Sequence, residues 1–211
     1  MNKHCRYLFS GVVTLCMLNS SDVFARSFDS SVVIGAKVRI GGRFDNVRKC
    51  VASKLGTKGG IAADISLCAD VPLNNSALFH IDLPVMRPIL FGIAFKMLQF
   101  EPTVSLRFVN TLSDQKQTLQ LGPSLGVSLH YGPDYKSETK GDGRTGDFFA
   151  MGPIIGGYAG ITFNNSEGRQ RQAFGLSPYI TPLYSINDSQ NHRGVVIGGL
   201  LDYTLFFGRK Q

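Results

Sequence analysis

No stretch of this chain is long and apolar enough to cross a bilayer as a helix. Outside the N-terminus the longest apolar run, Pro88 to Phe95, is bounded by Arg87 and Lys96, whereas a spanning helix needs about 20 such residues. Residence in a membrane must therefore be by strands or by a surface contact. Charge is scarce too, at 18% of residues. Lys and Arg outnumber Asp and Glu by 22 to 15, but no basic run is interleaved with stacking aromatics. That pattern speaks against a nucleic-acid partner and leaves anionic lipid headgroups to meet the surplus positive charge. CxxC, HExxH, phosphate-loop and dinucleotide fingerprints are missing, so no cofactor and no metal are expected. The stretch from Gly141 to Asp147 lacks the acidic spacing of a Ca²⁺ loop and reads as a solvated turn.

Cysteine is sparse as well, with four residues. Cys5 and Cys16 fall in a segment with the marks of a secretory signal peptide. Lys3, His4 and Arg6 precede an apolar run from Tyr7 to Leu18, and Val23-Phe24-Ala25 supplies small residues at the −3 and −1 positions. Cleavage after Ala25 makes 1–25 a leader for the Sec pathway and 26–211 a single domain. The run is too short to anchor the chain as a membrane helix. Cys50 is placed in a rim loop and Cys68 far down the next strand, on the order of 20 Å apart at about 3.3 Å per residue. A disulfide needs Cα atoms within about 7 Å, so no bridge is expected.

What the chain does have is alternation. From Thr118 to Tyr131, Leu119, Leu121, Pro123, Leu125, Val127, Leu129 and Tyr131 fall on one face, and Gln120, Gly122, Ser124, Gly126, Ser128 and His130 on the other. Side chains of a strand point to opposite faces in turn, so one face is greasy and the other small or polar. Seven further segments behave alike: Val32–Arg43, Gly59–Leu73, Ala77–Met86, Gln99–Asn110, Phe148–Phe163, Gln172–Ser185 and Gly194–Gly208. The charged residues Lys37, Arg39, Asp64, Asp70, Asp82, Glu101, Arg107 and Asp202 all land on the polar face. Lipid demands that arrangement, because a basic residue facing the bilayer midplane costs about 2–4 kcal/mol.

The connections alternate in character. Those at Phe44–Lys58, Gly132–Asp147 and Asn187–Arg193 are long or strongly polar, and those at Asn74–Ser76, Thr111–Gln117 and Asn164–Arg171 are shorter turns. Outward aromatics form two belts: Phe100, Tyr131, Phe149 and Tyr184 at the loop end, and Phe108, Phe163, Phe174 and Phe207 at the turn end. The expected fold is an all-β, eight-stranded antiparallel transmembrane up-and-down barrel. On these features the chain resembles the small eight-stranded outer-membrane barrels of Gram-negative-type bacteria, the OmpX and OmpW kind. The resemblance covers nearly all of residues 26–211 and rests on pattern rather than on a matched motif. It implies residence in the outer membrane, contact with outer-membrane lipid, and dependence on the assembly machinery.

Three functional readings remain open. The inward set Lys37, Arg39, Asp64, Asp70, His80, Asp82, Glu101, Arg107 and Asp202 either lines a porin-like pore or plugs a narrow lumen as an ion-pair network. The plug is favoured, because eight strands enclose an interior that side chains just fill. Strand adjacency places Lys37 and Arg39 beside Asp64 or Asp70, and closure brings Asp202 to the first strand. The leading role is then structural or interactive, with exposed loops meeting host, ligand or lipid headgroups. Arg48, Lys49, Lys54 and Lys58 of the first loop are its contact surface. The second reading, implied by the OmpW likeness, is a channel for small hydrophobic molecules with a lateral exit near Arg87–Leu98. That segment alternates and is read as an extension of the fourth strand through a bulge near Leu98, the alternative being a short helix over the mouth. The third is a lipid-modifying enzyme built on Ser128, His130 and Glu101; no enzyme is expected. A soluble sandwich is a further alternative, since alternation also serves sheets with one wet face.

Overall fold

A computed structural model describes residues 32–45, 59–93, 98–112, 117–133, 147–164, 170–186 and 193–207. The N-terminal segment 1–25, Cys50 and the basic residues Arg48, Lys49, Lys54 and Lys58 lie outside these. Nine strand segments and one helix make up the described chain. In order they are β1 (Val33–Asp45), β2 (Gly59–Asn74), β3 (Ala77–Pro84), α1 (Met86–Ile93), β4 (Leu98–Phe100), β5 (Thr103–Thr111), β6 (Gln117–Pro133), β7 (Asp147–Asn164), β8 (Gln170–Ser185) and β9 (Arg193–Phe207).

These segments form eight staves. β4 and β5 both pair with β6 in one unbroken register, Phe100 opposite Leu129 and Thr103 opposite Gly126. Glu101-Pro102 merely interrupts the ladder, since proline has no N–H to give; the Pro102 carbonyl still accepts from Val127 N at 3.2 Å. Every neighbouring pair is antiparallel. β1 closes the cylinder against β9, with Lys37 opposite Thr204, while β6 pairs with β7 along its whole length. The molecule is an eight-stranded antiparallel up-and-down barrel, and the β1–β9 and β6–β7 pairings close edges that lipid would not tolerate.

The barrel is greasy outside and polar within. Leu125 is 59% exposed and Leu201 66%. Lys37, Arg39, Asp70, Asp82, Arg107 and Asp202 are buried inside. The eight proposed aromatics stand on the outward face, and at the turn end Phe174 packs against Phe163 and Tyr203 with ring centroids 6.1 and 5.0 Å apart. Inward glycines let this narrow cylinder close. A Cβ on Gly122 would sit 2.9 Å from the Leu106 carbonyl carbon, and at Gly175 it would collide with the Tyr158 ring.

The segment after Pro84 departs from the extended strand read in the sequence. Met86–Ile93 is a helix, opened by a bond from Ile89 N to Val85 O at 3.2 Å. Met86, Ile89, Leu90 and Ile93 recur at the spacing of one helical face. Pro88 lies in the first turn, where a missing N–H costs nothing, whereas in a strand it would delete a ladder bond. The helix occupies a break in the wall. β3 pairs with β2 only up to Pro84 opposite Ser66, and one further bond runs from Val85 N to Ile65 O at 2.9 Å. Above it, residues Gly59 to Asp64 of β2 pair with β1 on one side. Among the described residues no strand lies on their other side, and β4 is partnered only by β6.

Candidate functional site

Alternation fixes which side chains meet in the lumen, and register fixes their heights. Arg39 of β1 stands opposite Asp64 of β2 and Asp202 of β9. Its guanidinium lies 3.8 Å from Asp64 and 3.7 Å from Asp82, and it donates to Ser66 Oγ at 3.0 Å. Lys37 is expected beside Asp64 or Asp70 by adjacency alone. Its opposite neighbour on β2 is instead the small Ser66, and the long side chain reaches past it to β3. There it pairs with Asp82 and donates to His80 Nε2 at 2.8 Å. An ammonium has no acceptor, so Nε2 must accept. The His80 proton therefore sits on Nδ1, donated to Asp70 at 2.6 Å. Asp70 in turn accepts from Arg171 of β8 at 2.8 Å. Asp202 reaches the first strand by register, yet its carboxylate accepts from Ser177 of β8.

Arg107 is the exception among the inward cations. It donates to Ser105 Oγ at 3.1 Å and Gln120 Oε1 at 3.2 Å, and lies 3.6 Å from the centre of the Tyr158 ring. Among the described residues no carboxylate comes within ion-pair distance of it.

Glu101 joins the barrel wall to helix α1. Arg87 spans the break between β2 and β4, 3.4 Å from Asp64 on one side and 3.4 Å from Glu101 on the other, and it also donates to the Ala63 carbonyl at 3.4 Å. Behind Glu101 stand Ser128 and His130. Ser128 donates to Glu101 Oε1 at 2.9 Å, so its Oγ accepts at 2.7 Å from His130 Nε2. That nitrogen also faces Glu101 at 3.4 Å. Both bonds are satisfied when His130 carries a proton on Nε2, and the carboxylate sits on the serine side of the ring rather than behind it. Both side chains are buried. The arrangement gathers a serine hydroxyl and an imidazole around one carboxylate.

Apolar groups also pack inside the lumen. Toward the turns, fully buried Phe206 packs with Cys68 and Ala173, under the Arg171 guanidinium at 4.7 Å. Cys68 is a free thiol. Toward the loops, Leu183 and Val196 pack with Tyr179. A cavity of about 40 Å³ is lined by Lys37, Arg39, Asp82, Glu101, Arg107 and Tyr158 among others, room for about three waters.

Sequence reasoning placed Tyr158 on the polar face of its strand but missed Arg43, Arg87 and Arg171 as lumen residues. Arg43 and Arg171 were legible, since each shares the parity of its strand's polar face. Arg87 was not, because it sits in no strand.

The geometry defines a transmembrane-type up-and-down barrel whose lumen is filled by paired charge. Among solved structures the chain is similar to Neisserial surface protein A, with a TM-score of 0.52 and 11% identity, over 84% of this chain and 97% of that one. At that identity the likeness is one of fold. No family model matches the sequence, and no curated protein matches it.

Proposed function

We propose that the protein is an integral outer-membrane barrel that acts at the cell surface through its exposed loops, without catalysis. The observation that carries this is the inverted distribution of polarity. Large aliphatic side chains stand exposed around the whole circumference while Lys37, Arg39 and Arg107 are buried within. A soluble protein would leave that belt in water; in lipid it is the stable side. The neighbour of like fold is itself described as a surface protein. A lumen with room for a few waters supports a plugged interior over a porin-like pore, and the proton placement at Ser128 and His130 supports a non-enzymatic role. Export by the Sec pathway, contact of Arg48, Lys49, Lys54 and Lys58 with anionic headgroups or a host ligand, and insertion by the assembly machinery belong to the same reading. The test is fractionation. The protein should partition with outer membranes, need detergent for solubility and migrate faster on gels before boiling than after. Soluble behaviour with no heat-dependent shift would refute it. A Ser128→Ala variant should leave the membrane's lipid composition unaltered.

The break between β2 and β4 supports a second reading, lateral passage of small hydrophobic molecules between lumen and bilayer. Among the described residues one helix and the contacts of Arg87 hold the wall there, and no backbone ladder does. Vesicles carrying the purified protein should take up an apolar dye faster than empty ones if this operates.

A further inference from the structure

We propose that this break is a port selective for single-chain amphiphiles with an anionic head, and that Arg87 is the residue that reads the head. The inference rests on the lateral-passage reading and adds to it the class of ligand. Neighbouring staves elsewhere are joined by ladder hydrogen bonds, so parting them would expose rows of backbone groups to hydrocarbon. Between β2 and β4 the chain offers side-chain bonds instead: Arg87 to the Ala63 carbonyl, to Asp64 and to Glu101, each at 3.4 Å. Charge-assisted bonds of good geometry run at about 2.7–2.9 Å. The guanidinium is thus shared loosely between two carboxylates through Nε and Nη1, and an anionic head that displaced Glu101 would meet the Nη1–Nη2 edge of its planar fork.

The surroundings match the rest of such a molecule. Ile61 of β2 and Ile89 and Ile93 of α1 are exposed on the approach, a bed for an alkyl chain. Glu101 belongs both to the break, through Arg87, and to the central cavity, where Arg107 also lies. An anionic head that displaced Glu101 from Arg87 would find in Arg107 a buried cation not already held by a carboxylate. A neutral head would leave Arg87 and Arg107 without a new partner. Charge, rather than greasiness alone, sets the selectivity.

The test is contact labelling. Purified protein in neutral-lipid vesicles is given a long-chain fatty acid carrying a diazirine beside its carboxylate, or the methyl ester of the same molecule, at alkaline pH so that the acid is ionised. After illumination, labelled residues are mapped by mass spectrometry. The acid should label the inward residues Ser105 and Ser128 at about tenfold lower concentration than the ester does, a difference of about 1.4 kcal/mol. Arg87→Gln should erase that preference, with folding checked by heat-dependent gel migration, and Arg87→Lys should keep most of it. Equal inward labelling by acid and ester overturns the charge selectivity while lateral passage stands. Labelling confined to outward residues such as Leu121 and Leu125 for both probes overturns passage and selectivity together. A preference that survives Arg87→Gln removes Arg87 from the role.

Discussion

Replacing Leu125 by arginine separates a lipid-facing wall from a water-facing one. Leu125 is the central residue of β6, shares its face with Leu121 and Leu129, and is 59% exposed. In an aqueous protein, a side chain that open to solvent accepts a polar substitute within about 0.5 kcal/mol. At the midplane of a bilayer the same change costs about 2–4 kcal/mol, roughly a 30- to 1,000-fold loss in the folding equilibrium. A companion change supplies the depth control. Phe44 is 76% exposed at the loop end of β1, and there an arginine should cost only about 0–1 kcal/mol. The measurement is reversible denaturant unfolding of the protein inserted in phospholipid vesicles, wild type against Leu125→Arg and Phe44→Arg. A large loss at 125 with little at 44 is the signature of a spanning barrel. If both variants unfold at the wild-type midpoint, the exterior faces water and the membrane assignment falls.

Asp82→Ala should strand the buried Lys37 ammonium and cost about 3–5 kcal/mol, whereas the double change Lys37→Met with Asp82→Leu should cost less than that single change; additive losses in the same unfolding assay would contradict the pairing. Gly41→Ala places a methyl 2.9 Å from the Leu200 backbone and should impair folding, whereas Gly199→Ala, with nothing within 4 Å of the added carbon, should stabilise by up to about 1 kcal/mol. In a Cys50→Ser background, Cys68 should resist a membrane-impermeant maleimide in the folded barrel and react on unfolding, because it is buried against Phe206 and Ala173. Labelling of the folded form would place Cys68 outside the plugged lumen.

The barrel was legible in the sequence because two demands fall on the same residues. A strand that spans lipid must put every charge on one parity, and a narrow lumen must put glycine or small polar groups on that parity too. Gly152, Gly156 and Gly160 of β7 meet the second demand, Lys37 and Arg39 of β1 the first. Strand order then follows from short turns, and register from matching faces. Contacts were less legible, since side-chain length enters. Arg39 meets its opposite neighbour Asp64, but Lys37 faces a serine and must cross to Asp82, which no cross-strand rule foretells. The direction of a proton was illegible for a related reason. Ser128 and His130 at spacing two look like a nucleophile and its base, and nothing in that spacing shows that the serine donates to Glu101 of the neighbouring stave.

The misreading of α1 shows where the pattern loses its force. Ile89, Phe91, Ile93, Phe95 and Met97 alternate as a strand should, while Met86, Ile89, Leu90 and Ile93 recur as a helix should. When most positions in a run are apolar both periods are satisfied, and periodicity carries no information. Proline then decides the outcome. Pro84 ends the ladder of β3, and Pro88 is harmless only in a helix's first turn. The helix takes Met86–Ile93 out of the wall, and among the described residues no ladder joins β2 to β4. The interruption that hid this segment from a period-two reading is thus the same one that leaves Arg87 between two staves.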